Sequence, residues 1–253
     1  MLDVVQFAAF AALLVWLVVR GAAGMGYNWQ WYRVPRYIAQ DFDGEVFAGP
    51  LLKGLAVTLE ISALALLLTI AIGLGTAILR LSGSVAGRWI AIGYIEVIRN
   101  TPLLVQLYVV YFILAPILGL ERFWAGVLAL AIFEGAFAAE IFRGGILAVP
   151  AGQWEAAWTL GLSRARAYRH IVLPQALRVV LPPLAGIGVS LIKHSAIVSV
   201  IAIFDLTNEG RNVISDTFMT FEIWLTVAAL YLAVTVTLSL AVQGLERRLR
   251  GAT

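Results

Sequence analysis

From Leu51 to Leu79 the chain runs for 29 residues with only Lys53 and Glu60 charged. As a helix this stretch would rise about 44 Å, more than the roughly 30 Å hydrocarbon core of a bilayer, so it must tilt or protrude. Apolar runs recur at Val4–Val19, Trp89–Leu118, Trp124–Phe142, Ala176–Phe204 and Phe221–Val242. Over 253 residues, 61% are hydrophobic and 13% charged, with a mean hydropathy of +0.91. That is far beyond a soluble domain, so the chain belongs in a membrane as an all-α integral protein.

Taken in order, Val4–Val19 is short for a span. A signal peptide cleaved near Ala22-Ala23-Gly24 is the competing reading, but Asp3 precedes the run and no Lys or Arg does, whereas a signal needs a basic start. An uncleaved helix is expected. Arg20–Pro50 carries Tyr27, Trp29, Trp31, Tyr32 and Tyr37 with acids at Asp41, Asp43 and Glu45, a composition suited to the membrane interface. Arg80 and Arg88 bracket a loop placed in the cytoplasm, and Thr101-Pro102 should kink or split the run from Trp89. Gly119–Arg122 returns on the other side. The arginines 143, 164, 166, 169 and 178 mark the cytoplasmic side again. Pro182-Pro183 and Lys193-His194-Ser195 are expected to break the next run into one span plus a partly re-entrant piece. Thr207–Thr220 lies outside, and Glu246, Arg247, Arg248 and Arg250 end the chain in the cytoplasm. The expected organisation is residues 1–50 as an N-terminal helix with an interfacial segment, 51–246 as the membrane domain with a loop at 155–174, and 247–253 as a tail.

Several function classes are excluded. There is no cysteine, so disulfides and thiolate metal sites are ruled out. His170 and His194 stand apart from any carboxylate cluster and do not make a metal site. No G-x-x-x-x-G-K-[ST], H-E-x-x-H or G-x-S-x-G motif occurs, so a membrane enzyme is disfavoured and ATP binding of the usual P-loop kind is excluded. The net charge of +3 reflects cytoplasmic loops and does not call for nucleic acid.

The stretch Glu155–Pro174, EAAWTLGLSRARAYRHIVLP, is basic and helix-compatible within this apolar chain. Glu155 in a first turn would suit the helix dipole, Gly161 can close that helix in a left-handed conformation, and Ser163 can cap the next. Arg164, Arg166 and Arg169 fill a polar face, while Ala165, Tyr168, Ile171 and Val172 fill an apolar one. Pro174 should turn the chain. An amphipathic helix on the membrane surface shares this pattern. However, Glu155, Ala156, Ala157, Gly161, Ile171, Leu173 and Pro174 stand at the spacing EAA, three residues, G, nine residues, I, one residue, LP. This resembles the cytoplasmic EAA loop of the membrane subunits of ATP-binding-cassette importers.

Further stretches resemble the polar-amino-acid branch of these permeases: Glu96-Val-Ile-Arg99-Asn100-Thr-Pro-Leu-Leu-Val-Gln106, Ala139-Glu140-Ile-Phe-Arg143, Pro150 with Gly152-Gln153-Trp154-Glu155, Leu173–Arg178, Pro182-Pro183 and the closing Leu245-Glu-Arg-Arg. The similarity runs from about Leu51 to the end. It implies a type I importer transmembrane domain of five core helices plus an extra N-terminal helix, in the bacterial inner membrane with a cytoplasmic C-terminus. It further implies a cytoplasmic ATPase dimer that binds ATP and Mg and docks on the seven loop residues, a second permease subunit, identical or paralogous, and an amino-acid-binding protein outside. Lipid surrounds the spans, and this chain itself carries no cofactor and no catalytic residue. Lys193-His194-Ser195-Ala196-Ile197 departs from the branch's K-D-T-S-L and, with Asn100, leans the substrate toward glutamate or aspartate; glutamine stays within range. An ion-coupled secondary transporter is the alternative, because membrane carboxylates also serve proton relays.

Ionisable groups within apolar runs usually face a cavity or each other. Glu96 and Arg99, at i, i+3, are expected to form a structural ion pair, and Glu140 with Arg143 likewise. Glu60 and Glu134 have no such local partner and, with Lys193, His194 and Ser195, are candidates for a substrate pathway; the two carboxylates equally suit pairing to another helix, Lys193 a neighbouring helix or a lipid phosphate, and His194 a polar position at a helix end. Trp124, Trp224 and Tyr231 are expected to be interface anchors.

Overall fold

A computed structural model of the protein describes residues 2–24, 26–42 and 44–250. The end of the tail, 251–253, and Asp43 lie outside the described residues. Helix α1 (Leu2–Gly24) is followed by a 3-10 turn at Trp31–Arg33, a short α2 (Pro35–Ile38) and a hairpin of β1 (Ala39–Phe42) and β2 (Glu45–Ala48). The hairpin pairs Ala39 with Ala48 and Phe42 with Glu45, and Gly44 takes φ +82°. These strands were missed in the sequence; an Asp-Gly dipeptide between short extended segments is their signal.

The spans follow as α3 (Pro50–Leu81), α4 (Val85–Arg99), α5 (Leu103–Val109) with α6 (Ala115–Leu118), and α7 (Arg122–Leu147). The loop supplies α8 (Ala151–Thr159) and α9 (Arg164–Ala167), α10 (Leu173–His194) runs back, and α11 (Leu206–Thr217) lies beyond it at the far end. Finally α12 (Thr220–Arg250) closes the chain. Among the described residues, five helical stretches are long and apolar enough to cross a membrane, and the bent pair formed by α4 and the Leu103–Leu118 segment makes six.

Small residues set the centre of the bundle. Along α3 the buried positions include Gly54, Ser62, Ala65, Thr69, Gly73, Thr76 and Ala77, and along α7 Ala125, Gly126, Ala129, Gly135, Ala138 and Ala139. Such stripes let backbones approach closely where lipid offers no hydrophobic drive for association. A Cβ on Gly73 would stand 2.6 Å from the Ala138 Cβ. Around this seam α10 and the α5 segment complete the main core, with Ile61, Leu107, Leu130, Leu184 and Leu191 buried. A second cluster joins Val34 and Leu51 to Leu206 of α11, Met219 in the link that follows and Ile223 of α12. The side chains of α1 that are described are almost all exposed.

Prolines behave in two ways. At Thr101-Pro102 the chain bends by 112°, as expected, and Gln106 braces the corner by donating Nε2 to the carbonyls of Ile98 (2.8 Å) and Thr101 (2.9 Å). Pro174, by contrast, does not turn the chain. A π-helical turn at Tyr168–Val172 precedes it, with the Leu173 N–H donating to the Tyr168 carbonyl, and the helix continues into α10. The same device, Val110–Leu114, precedes Pro116. A wider i→i+5 turn accommodates the missing N–H and the ring clash that a proline imposes on the preceding turn. Pro182 and Pro183 likewise sit within α10, so the break expected there does not form, whereas the one expected at Lys193-His194-Ser195 does: the α-helix ends at His194. The change in helix type comes later, at Ser195–Ile201, which is 3-10.

Candidate functional site

Two regions gather the residues singled out from sequence. The first is the loop between α7 and α10. Pro150 precedes α8 in an extended conformation, so the helix begins at Ala151 and Glu155 falls in its middle rather than in its first turn, as the sequence had suggested. Gly161 does take a left-handed φ of +68°. The turn closes with the Gly161 N–H on the Trp158 carbonyl (2.9 Å) and the Leu162 N–H on the Ala157 carbonyl (3.0 Å), the bonding that ends many helices.

The seven loop residues divide by exposure. Ala157 is buried and Ile171 half-buried, while Glu155, Ala156, Gly161, Leu173 and Pro174 are exposed. The inward face is Ala167, Tyr168, Ile171 and Val172; Ala165, assigned to it from sequence, is exposed. Val149, Val172 and Ala176 form a small core with Trp154 and Tyr168 against it, and the two rings meet edge-on at 4.8 Å. Trp158 is 60% and Leu160 76% exposed, so beside Glu155 the loop presents large apolar side chains. Sequence reasoning passed over both; large apolar residues inside an otherwise polar loop are their signal. Behind the loop, Glu140 bonds Arg143 at 2.8 Å, as its spacing predicted, and also Arg80 of α3, which the sequence did not reveal.

The second region is the middle of the bundle. Glu134 of α7 is buried, at 3% exposure, and its Oε1 lies 2.8 Å from His194 Nδ1 at the end of α10. A carboxylate in such a place requires a partner, and an imidazole from a facing helix supplies it. Phe133 packs edge-on against the same ring at 5.7 Å. Ser195 is fully buried and spends its hydroxyl on the Ile192 carbonyl (2.8 Å). Lys193 and Glu60 are exposed, and among the described residues they make no ion pair. Of the five pathway candidates, the fold therefore joins Glu134 and His194.

The expected Glu96–Arg99 ion pair does not form. Arg99, the last residue of α4, lies over the Phe137 ring at 5.4 Å, and Glu96 accepts from Asn100 Nδ2 at 3.2 Å. The helix ends at this point, so the guanidinium is free to leave the face it would share with Glu96 and to stack on α7. Trp124 and Trp224 are exposed near span ends, whereas Tyr231 turns inward and bonds Asp205 (3.3 Å) and Thr207 (3.1 Å). It is therefore more than an anchor.

A bundle of apolar helices with a central small-residue seam and an exposed structured loop defines a helical, membrane-embedded protein. The chain belongs to the family described as binding-protein-dependent transport system inner membrane component, whose model matches residues 68–251. It is 40% identical over 199 residues to the probable glutamine ABC transporter permease protein GlnM of Bacillus subtilis (strain 168), covering 78% of this chain and 92% of that one. It is 39% identical over 203 residues to the glutamine transport system permease protein GlnP of Escherichia coli (strain K12), covering 79% and 93%. Among solved structures, an amino acid ABC transporter crystallised with histidines matches with a TM-score of 0.73 at 41% identity, covering 79% of this chain and 94% of that one.

The protein is thus a multi-pass permease subunit of an ATP-binding-cassette importer, with hydrolysis in a separate subunit and a binding protein as a further component. The ion-coupled alternative is set aside by this membership.

Proposed function

We propose that this permease admits a polar amino acid, glutamine foremost, and that Glu134 and His194 contact it within the membrane. The observation that carries this reading is the buried carboxylate held 2.8 Å from an imidazole whose side chain is 42% exposed. The ring's Nδ1 is committed to Glu134, and part of the side chain remains accessible. An amino acid carries both charges and needs polar partners in a low-dielectric setting, and this pair offers an acceptor and a titratable donor. The relatives named for glutamine support the substrate over glutamate or aspartate. Lys193, one residue before His194, adds a cation that would favour a carboxylate.

The loop is the coupling contact. Its exposed Glu155, Trp158, Leu160 and Gly161 turn form the surface for a cytoplasmic ATPase dimer, while Val172 and Tyr168 tie it to α10. The second permease subunit, the binding protein outside and the cytoplasmic placement of the C-terminus belong to the same reading. Reconstituted with its ATPase and a saturating binding protein, the wild type should hydrolyse ATP faster with L-glutamine. His194→Ala and Glu134→Gln should each reduce that stimulation at least fivefold without loss of assembly. Wild-type stimulation in both variants would assign selection to the binding protein alone.

A further inference from the structure

The span that carries His194 changes helix type at that residue. Ser195–Ile201 form a seven-residue 3-10 helix, which ends on Ala202 in the left-handed region at φ +57°. Both features are unusual. Runs of 3-10 helix longer than three or four residues are uncommon, even at a helix end, where this one lies. A left-handed residue other than glycine is also uncommon, and such conformations persist only where the surroundings enforce them.

The surroundings here are two guanidiniums from different parts of the fold. Arg122, the first residue of α7, donates Nη1 to the Ala202 carbonyl at 2.8 Å. Arg211 of α11 donates Nη2 to the Ser199 carbonyl at 2.9 Å and to Asn208 Oδ1 at 3.0 Å. Asn208 in turn donates to the Ile203 carbonyl at 2.9 Å. Beside this segment a cavity of about 540 Å³, bordered by Val57, Arg122, Phe123, Ala202 and Phe204, leaves space on one side.

We propose that Ser195–Ile201 is the moving segment of a gate at the α11 end of the pathway, and that Arg122 and Arg211 are positioning residues that latch it in the closed state. The proposal rests on the reading that His194 lines the pathway. A 3-10 helix rises about 2.0 Å per residue against 1.5 Å for an α-helix, so returning seven residues to α shortens the segment by about 3.5 Å and turns it by about 140°. One end is fixed, because the His194 ring is bonded to Glu134. With that end held, shortening the segment draws Ala202 toward His194 and off the Arg122 guanidinium. Alanine's preference for the right-handed region biases Ala202 toward release, whereas glycine would tolerate the latched state without that bias.

The chain has no cysteine, so Ser199→Cys places a single thiol on the latched segment at a buried position. In the complete importer in proteoliposomes, its modification by a membrane-impermeant maleimide is followed beside L-glutamine-stimulated ATP hydrolysis. Arg122→Gln and Arg211→Gln should each speed labelling at least fivefold and lower stimulation at an unchanged melting temperature, with partial recovery in the lysine variants. Ala202→Gly keeps the carbonyl that Arg122 holds and should slow labelling severalfold, so it decides the matter even if an arginine variant fails to accumulate. Labelling within twofold across all variants, or faster labelling in Ala202→Gly, overturns the latch. Absence of glutamine stimulation in the wild type counts against the substrate reading and leaves the labelling result standing.

Discussion

The hydroxyl of Tyr27 donates to Glu222 Oε2 at 2.6 Å, and the Gln30 N–H donates to Oε1 of the same carboxylate at 2.6 Å. Glu222 is fully buried in the first turn of α12, so a segment that precedes the family-matched residues supplies bonds to a carboxylate that cannot reach water. Tyr27 also meets Phe221 edge-on at 4.8 Å. Removing one such bond with Tyr27→Phe should cost about 1 kcal/mol, and deleting residues 2–30 should cost more, because the buried charge then loses both donors. Unfolding midpoints of the purified protein in detergent measure both. An unchanged midpoint on deletion would show that the arm lies outside the cooperative unit.

That clasp carries a pH dependence. Burial first, and then the bond to Glu222, raise the Tyr27 phenol above its ordinary 10.0. A raised native value means that the contribution is fully present below the unfolded value and is lost as pH rises through the native one. The wild type should therefore lose stability in alkali to a greater extent than Tyr27→Phe, as seen in melting temperatures across an alkaline series.

At the α3–α7 seam, Gly73→Ala forces a Cβ within 2.6 Å of the Ala138 Cβ and 3.1 Å of its backbone. Overpacking of this kind costs about 1–3 kcal/mol. Gly75, two residues on, faces open space, so Gly75→Ala should be neutral or slightly stabilising through helix propensity. Equal melting temperatures for the two variants would contradict close packing along this seam.

In the loop, nothing lies within 4 Å of a Cβ built on Gly161, yet its φ of +68° disfavours any L side chain. Gly161→Ala should cost about 1–2 kcal/mol of local turn stability, and Gly161→Asp adds a charge to the exposed surface. Both proteins should accumulate, with substrate-stimulated ATP hydrolysis falling modestly in the first and at least tenfold in the second. Glu155→Lys should act like the second. Full coupling in Gly161→Asp and Glu155→Lys would remove the loop from the energy contact.

Asp205 caps α11, accepting from the N–H groups of Asn208 (3.0 Å) and Thr207 (3.2 Å). Asp205→Ala should cost about 1–2 kcal/mol, and Asp205→Asn much less, since asparagine caps equally well. Burial raises the Asp205 carboxyl above its ordinary 3.8. Its stabilising share is thus complete below the unfolded value and lost as pH rises through the native one, so Asp205→Asn should flatten the acid limb of the stability profile.

What could be read directly from the residues was what neighbours along the chain decide. The apolar runs marked the spans, Thr101-Pro102 marked a corner, and the left-handed turn at Gly161 and the Glu140–Arg143 pair followed from local sterics and spacing. The same reasoning failed where local rules were overridden. Pro174 and Pro182-Pro183 looked like breaks, but a π turn ahead of one and burial of Val180, Leu184 and Ile187 around the others keep the helix intact. Arg99 left Glu96 for an aromatic face on α7.

The partnerships that matter most were decided by the tertiary fold alone. Glu134 and His194 are 60 residues apart, and Tyr27 and Glu222 are 195 apart. A buried carboxylate announces that it needs a partner, because leaving it bare in a low-dielectric interior is too costly. Which partner it finds depends on which helix faces meet, and here that follows from small residues that let α3 and α7 close together and from α10 packing against them. Hydrophobicity placed the helices in the membrane by itself, and only their packing chose the pairs.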